Sequence, residues 1–330
     1  MNYSTRAARA ARNMKALLPQ TFASLGKKTF GESVYNEVMN AAAAEPKAAA
    51  GNNAIETSPL WQVVAKKAAE TVSREIVSIM PYVTDVQTDL QVRDRRAMPV
   101  VKVPVYSSVG DPLINATNWK QSHLANSYVD VQTVRVSRPA MISTYDMSNG
   151  EQLERTLTLL AETVAQGVYG QFMSAILAAC KTPTAKPALT PESARKLSAI
   201  FSDRRTTHGL FLAPEHYAEL IPTKTTDISP KGFGAFGIDN IARTSMLGND
   251  IDGIAIARDA VAGMVGIPEI LYDMPGLITA RMPDVAGIPM LLKTHFDYET
   301  EMLEVSVESV CGFAVTVPDY VKTLTFGRAE

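Results

Sequence analysis

The segment GEQLERTLTLLAETVAQGVYGQFMSAILAAC, residues 150–180, constrains this chain more than any other stretch. Leu153, Leu157, Leu160, Val164, Val168, Phe172 and Ile176 recur at helical spacing, with no proline to interrupt them. A helix of roughly 30 residues is about 45 Å long. Such a rod is too long to be enclosed end to end in a small domain, so the pattern predicts a spine on which other elements lean. Gly167 and Gly170 weaken the helix locally and admit a close neighbour.

Upstream the period changes. Val86, Thr88, Leu90 and Val92 alternate with polar residues, as do Val101, Val103 and Val105, and YVDVQTVRVS (128–137) alternates again. These strands are polar for a core, and a loop with Gly110, Pro112 and Asn115 divides them. A long hairpin that is polar on both sides is marginal alone in water. It needs a surface to lie on, either its own body or a neighbouring copy. Before it, Ser58 and Pro59 open a helix carried by Leu60, Val64, Ala68, Val72, Ile76 and Ile79, and Pro81 ends it. Residues 1–57 read as an arm: NAAAAEPKAAAGNNA (40–54) has too few large apolar groups to build a core.

Downstream of 187 the chain becomes a compact α+β mixture. Thr190 and Pro191 start a helix running through Phe201, GLFLA (209–213) is a strand, and Pro214 opens another helix through Leu220. TKTTDISPKGFGAFG reads as a loop and DGIAIA (252–257) as a strand. The stretch 290–326 reads as strand, turn, strand, turn, strand. No internal repeat of fixed period is present.

Charge is distributed unevenly. Arg6, Arg9, Arg12, Lys15, Lys27 and Lys28 precede the first acid, Glu32, whereas the remaining chain holds 26 basic residues against 34 acidic ones. A basic arm on an acidic body suits a polyanionic partner for the arm alone. The same arm, with Met14, Leu17 and Leu18, also has the composition of an organelle-targeting peptide. Cys180 and Cys311 belong to no CxxC pair and read as free buried thiols in a reducing compartment. No run of 18 apolar residues occurs, so no membrane span is expected.

Searches for chemistry return little. GFGAFG (232–237) matches GxGxxG, but the preceding TTDISPK is no strand, so a glycine loop is expected rather than a dinucleotide site. SARK (193–196) matches SxxK without companion motifs and reads as a solvated first turn. No zinc spacing involves His123, His208, His216 or His295. His295, Asp297, Glu299 and Glu301 alternate, so one strand face would gather them for a hard cation or acid–base work. The plainer reading is a solvated strand face behind Phe296 and Tyr298. Neither catalytic residues nor a cofactor or metal are therefore expected.

The order of parts is basic arm, short helix, polar hairpin, spine helix, compact α+β unit and closing β-hairpins. It resembles the major capsid proteins of tailed bacteriophages, with their Hong Kong 97-type fold, which encapsulins share. HFDYETEMLEVSVESVCGFAVTVPDYVKTLTF is similar to that family's closing segment, SNGEQLERTLTLLAETVAQGVYGQFMSAI to its spine helix, and RKLSAIFSDRRTTHGLFLAPEHYAELI to the opening of its axial domain. The resemblance covers most of residues 58–326 and rests on order and pattern.

It implies an α+β fold with an arm over residues 1–57, a helix over 58–85, an extended loop over 86–140, a peripheral domain over 141–186 and 290–330, and an axial domain over 187–289. It also implies a non-enzymatic shell protein, assembling in the host bacterial cytoplasm through pentamers and hexamers into an icosahedral virion capsid around double-stranded DNA. Scaffold, portal and cement proteins are the further partners implied. Arg6, Arg9, Arg12, Lys15, Lys27 and Lys28 would face DNA or scaffold inside, where phosphate contacts need charge without sequence reading. Arg93, Arg95, Arg96, Lys102, Trp119, Lys120 and Arg135 are the candidate intersubunit contacts. Lys102, Lys120, Asn115 and Asn118 carry no motif that would bring over the lysine–asparagine crosslink of some relatives. A nanocompartment shell is a close variant. An organelle-targeted metal enzyme built on His295, Asp297, Glu299 and Glu301 is the reading from another class.

Overall fold

The computed structural model describes residues 82–85, 100–106, 125–143, 146, 150–180, 182–201, 208–221, 230–248, 250–258, 260–267, 278–285, 288–297 and 299–327. The arm, the helix expected from Ser58 and the strand expected at 86–93 lie outside them. In chain order the elements are β1 (Val83–Asp85), β2 (Val100–Tyr106), β3 (Ala125–Gln132), β4 (Val134–Ser143), α1 (Gly150–Ala179), β5 (Thr184–Lys186), α2 (Pro191–Lys196), β6 (His208–Leu212), α3 (Pro214–Glu219), β7 (Ile238–Arg243), β8 (Gly253–Ala257), β9 (Val261–Gly266), β10 (Ile278–Val285), β11 (Ile288–Asp297), β12 (Met302–Val315) and β13 (Val321–Phe326). Short 3-10 segments follow α2 (Leu197–Ala199), precede β7 (Pro230–Phe236) and precede β13 (Pro318–Tyr320).

The spine forms as the stripe dictates. All seven stripe residues are buried, joined by Ala161, Ala165, Tyr169 and Met173 on the same side. They pack on a six-stranded sheet ordered β1-β9-β12-β11-β10, with β4 also paired to β12. Leu303, Val305 and Val307 of β12 and Val136, Ala140 and Ile142 of β4 meet α1. The close neighbour admitted by Gly167 is Val136, whose Cγ1 lies 2.6 Å from where a Cβ would stand.

The second sheet has the order β5-β13-β8-β6-β7. One face, with Phe211, Ile254, Ile256 and Val321, joins the core under α1. The other, with Leu210, Leu212, Ala255, Ala257 and Leu324, packs on Leu197, Ile200, Phe201 and Phe233. Phe172 of α1 ties the sheets together: its ring lies 5.6 Å from Phe313 of β12 and 6.5 Å from Phe211 of β6.

Strand membership crosses the expected unit boundaries. β9 and β10 belong to the sheet of β12, and β13 belongs to the sheet of β8 and β6. The boundaries drawn at 187 and 289 therefore do not follow sheet membership, and the one at 140 falls inside β4. Local periodicity reports burial, not which distant strand supplies the pairing.

Candidate assembly surface

β2 and β3 form a two-stranded antiparallel ribbon, Val100 opposite Gln132 through Tyr106 opposite Ala125. At Thr133 the chain leaves this pairing, and β4 runs antiparallel along β12 from Val134 opposite Cys311 to Ser143 opposite Met302. The alternating stretch read as a single strand over 128–137 is thus two strands with different partners. Thr133, at the joint, is 1% exposed.

The joint rests on a glycine. A Cβ on Gly312 of β12 would lie 3.1 Å from Thr133 Cγ2 and 3.2 Å from Val131 Cγ1. Beside it Val310, Ala262 and Met264 form a small cluster with Val131 and Ala314. This patch lies on the sheet face turned away from α1, because residues of a strand alternate between faces.

On that same face sits a buried charge. Glu308 of β12 is 5% exposed and is met by two cations, Arg135 Nη2 of β4 at 2.5 Å and Lys293 Nζ of β11 at 2.7 Å. Both approach Oε2 as ion pairs without regular hydrogen-bond angles, while Ser306 Oγ donates to Oε1 at 3.3 Å. Both cations are diagonal neighbours of Glu308, which stands opposite Ser137 on β4 and Leu291 on β11. One carboxylate therefore joins three strands at the root of the ribbon.

Of the candidate contacts, Arg135 is placed here, with its guanidinium shared between solvent and Glu308. Lys102 lies on β2. Arg93, Arg95, Arg96, Trp119, Lys120, Asn115 and Asn118 lie outside the described residues, as do Arg6, Arg9, Arg12, Lys15, Lys27 and Lys28. Sequence reasoning missed Glu308, Lys293 and Thr133. The available signal was an acid inside the long strand MLEVSVESVCGFAV, which otherwise turns apolar after Val307.

The carboxylates expected on one strand face do not gather. β11 ends at Asp297, and Glu299 and Glu301 fall in the turn to β12, where Glu301 adopts φ 55. Asp297 closes this turn: Oδ2 accepts from Thr300 Oγ1 at 2.7 Å and Oδ1 from Glu299 N at 2.9 Å. These bonds hold its carboxyl below the usual range. Ser193 of SARK is committed to a capping box, its Oγ accepting from Thr190 N at 2.7 Å and donating to Ala188 O at 2.9 Å. GFGAFG folds into a 3-10 segment that buries Phe233 and leads to β7, with Gly237 at φ 79.

Glu215, His216 and Asp252 bring donor atoms within 4.8 Å of one another. They are engaged otherwise: His216 Nδ1 meets Glu219 at 3.3 Å, and Asp252 Oδ2 accepts from Phe326 N at 2.6 Å. Both cysteines are free, and burial raises both thiols, Cys311 to about 12. Among the described residues no helix is long and apolar enough to cross a membrane.

Comparison with known proteins gives no matching family model and no matching curated protein. A virus-like particle from Pyrococcus furiosus does match in structure, with TM-score 0.51 and 12% identity over 80% of this chain and 97% of that one. The chain has the Hong Kong 97-type capsid fold. Further likenesses are the capsid of an empty GTA particle (TM-score 0.48, 12% identity, 86% of this chain and 96% of that one) and the capsid of cyanophage P-SCSP1u (TM-score 0.45, 10% identity, 78% and 90%). The α+β class expected from the sequence is the class of this Hong Kong 97-type structure, with α1 as its long helix and β2–β3 as its ribbon.

Proposed function

We propose that this chain is the major capsid protein of a tailed phage. It self-assembles through pentamers and hexamers into an icosahedral shell around double-stranded DNA. The single observation that carries the reading is the Hong Kong 97-type fold, matched over 97% of the subunit of a virus-like particle. The first 31 residues of the arm, basic and free of acids, support a nucleic-acid content, since phosphate neutralisation needs charge alone. A ribbon with its own two-stranded pairing suits the role of an arm laid on a neighbouring copy. On this reading the chain is structural rather than catalytic and resides in the virion. Its contacts are other copies of itself, with scaffold, portal and cement proteins as further partners. Closure and multiplicity hold such a shell together even where each contact is modest.

A second reading is a nanocompartment shell of the same fold, since the matched particle is described as virus-like rather than as a phage. Expression of the full chain followed by negative-stain microscopy tests the shell. Uniform hollow particles or capsomer rings are expected, and a monomer or dimer at high concentration would overturn both readings. Nuclease-protected DNA in particles from infected cells separates phage from compartment, as does a neighbouring portal or terminase gene rather than a ferritin-like or peroxidase gene.

A further inference from the structure

We propose that Glu308, Lys293, Arg135 and the Thr133–Gly312 contact form a clamp that fixes the angle at which the β2–β3 ribbon leaves the body. The consequence for assembly rests on the shell reading above; the clamp itself does not.

Three independent features converge on the joint. The first is the change of partner at Thr133, where the backbone passes from the ribbon to the six-stranded sheet within one residue. Where β3 joins the body through this one residue, the ribbon would swing unless its root were held. The second is the seat. Thr133 is almost fully buried, and its Cα would stand 3.3 Å from a Cβ on Gly312, so only a glycine there lets the joint lie flat without displacement. The third is the ion pair. A 5% exposed carboxylate is expensive unless matched, and here both matching cations come from the strands flanking β12. Arg135 stands two residues beyond Thr133, so its ion pair with Glu308 pins the start of β4 just after the joint. Lys293, 13% exposed, holds Glu308 from the opposite strand and keeps the carboxylate aimed at β4.

The geometry makes the pinning local. From Val136 on, β4 is held by apolar contacts of Val136, Ala140 and Ile142 under α1, which the clamp does not touch. Loss of the clamp therefore frees residues 131–135, ahead of Val136, while leaving 136–143 and α1 in place. In a shell, a ribbon leaving each copy at a variable angle meets its neighbour at a variable position, and uniform curvature is lost.

The test uses the full chain as unassembled subunits, followed by hydrogen exchange with mass spectrometry. In Glu308→Gln, amides of residues 131–135 are expected to exchange at least about ten-fold faster, with 136–143 and α1 unchanged. The double variant Lys293→Met with Glu308→Leu replaces the buried pair by apolar groups, which proteins tolerate. It is expected to fold and to show the same confined increase. Gly312→Val is expected to raise exchange at 131–134. Unchanged exchange at 131–135 in the double variant, or an equal rise across β4, β11 and β12, would overturn the clamp. Particle images supply the second arm: wild-type particles of one diameter and variant particles of mixed diameter or open sheets support the assembly consequence. Variant particles as uniform as wild type would overturn that consequence. Failure of the wild type to form particles would overturn the shell reading, with the clamp still decided by exchange.

Discussion

The two sheets solve burial differently. In the five-stranded sheet, every residue of β6 and of β8 is buried, because α1 covers one face and α2 with the 3-10 segments covers the other. In the six-stranded sheet, β11 alternates buried with half-exposed positions except at Met290–Leu292, and β4 is largely exposed away from α1. A sheet covered on both faces needs continuous apolar runs such as GLFL and GIAIA, whereas a sheet covered on one needs alternation. The difference teaches where this chain is complete by itself. The five-stranded sheet is finished within the chain; the other leaves Met141, 53% exposed, opposite the exposed Glu304 on its outer face.

The strongest way to break this contrast is at the residue both sheets share. Phe172 is fully buried and contacts rings from each. Phe172→Ala is expected to cost about 3–5 kcal/mol. Denaturant melts followed separately by exchange in β8 and in β12 should shift together. A shift confined to one sheet would show that the two are separate cooperative units.

A second variant probes only the one-sided sheet. Gly167→Val places methyl groups where Val136 already stands, and overpacking of this kind costs about 1–3 kcal/mol. Val136→Ala in the same chain should recover most of the loss. If the double variant is no better than the single, the seam between α1 and β4 is not what requires glycine.

The doubly covered sheet hides a titratable group. His208 of β6 is 0% exposed, both ring nitrogens lack hydrogen-bond partners, and its ring sits edge-on to Phe201 at 5.3 Å. Burial holds its pKa below 6.5, while the Asp239 carboxylate on the neighbouring β7, itself paired with Arg258 next to β8, pulls it partly back. The proton therefore prefers the unfolded chain. The stabilisation is fully present above pH 6.5 and is lost as pH drops toward the folded value. Stability measured from pH 7 to 5 should decline less steeply in His208→Leu than in wild type. Equal slopes would place the acid sensitivity elsewhere.

The same contrast decides what the sequence reveals. The α1 stripe, the starts of α2 at Thr190 and α3 at Pro214, and strands β6, β8, β11, β12 and β13 were legible because each is a local pattern backed by burial. The α2 helix stops at Lys196 and tightens into a 3-10 segment, a difference that periodicity does not register. VAGMVG of β9 was not legible, since two glycines and a methionine carry neither alternation nor turn chemistry. Its strand character comes from pairing with β12 and β1, both distant in sequence. Glu308 was hidden for the same reason: its meaning depends on Lys293 and Arg135, which only the sheet register brings to it. His295 and Asp297 looked like neighbours of Glu299 and Glu301 on one face, but the strand ends between the pairs.

The smallest expected effect tests the open face most finely. Arg135 is 42% exposed and is one of two cations on Glu308, the other being the far less exposed Lys293. Solvent competes for the guanidinium, and Lys293 still neutralises the carboxylate when Arg135 is gone. Arg135→Ala should therefore cost about 0–1 kcal/mol in a denaturant melt, and less at high salt. A loss above about 2 kcal/mol, unaffected by salt, would mean that Arg135 rather than Lys293 carries the buried charge. The outer face would then be as closed as the inner one, and the asymmetry between the two sheets would disappear.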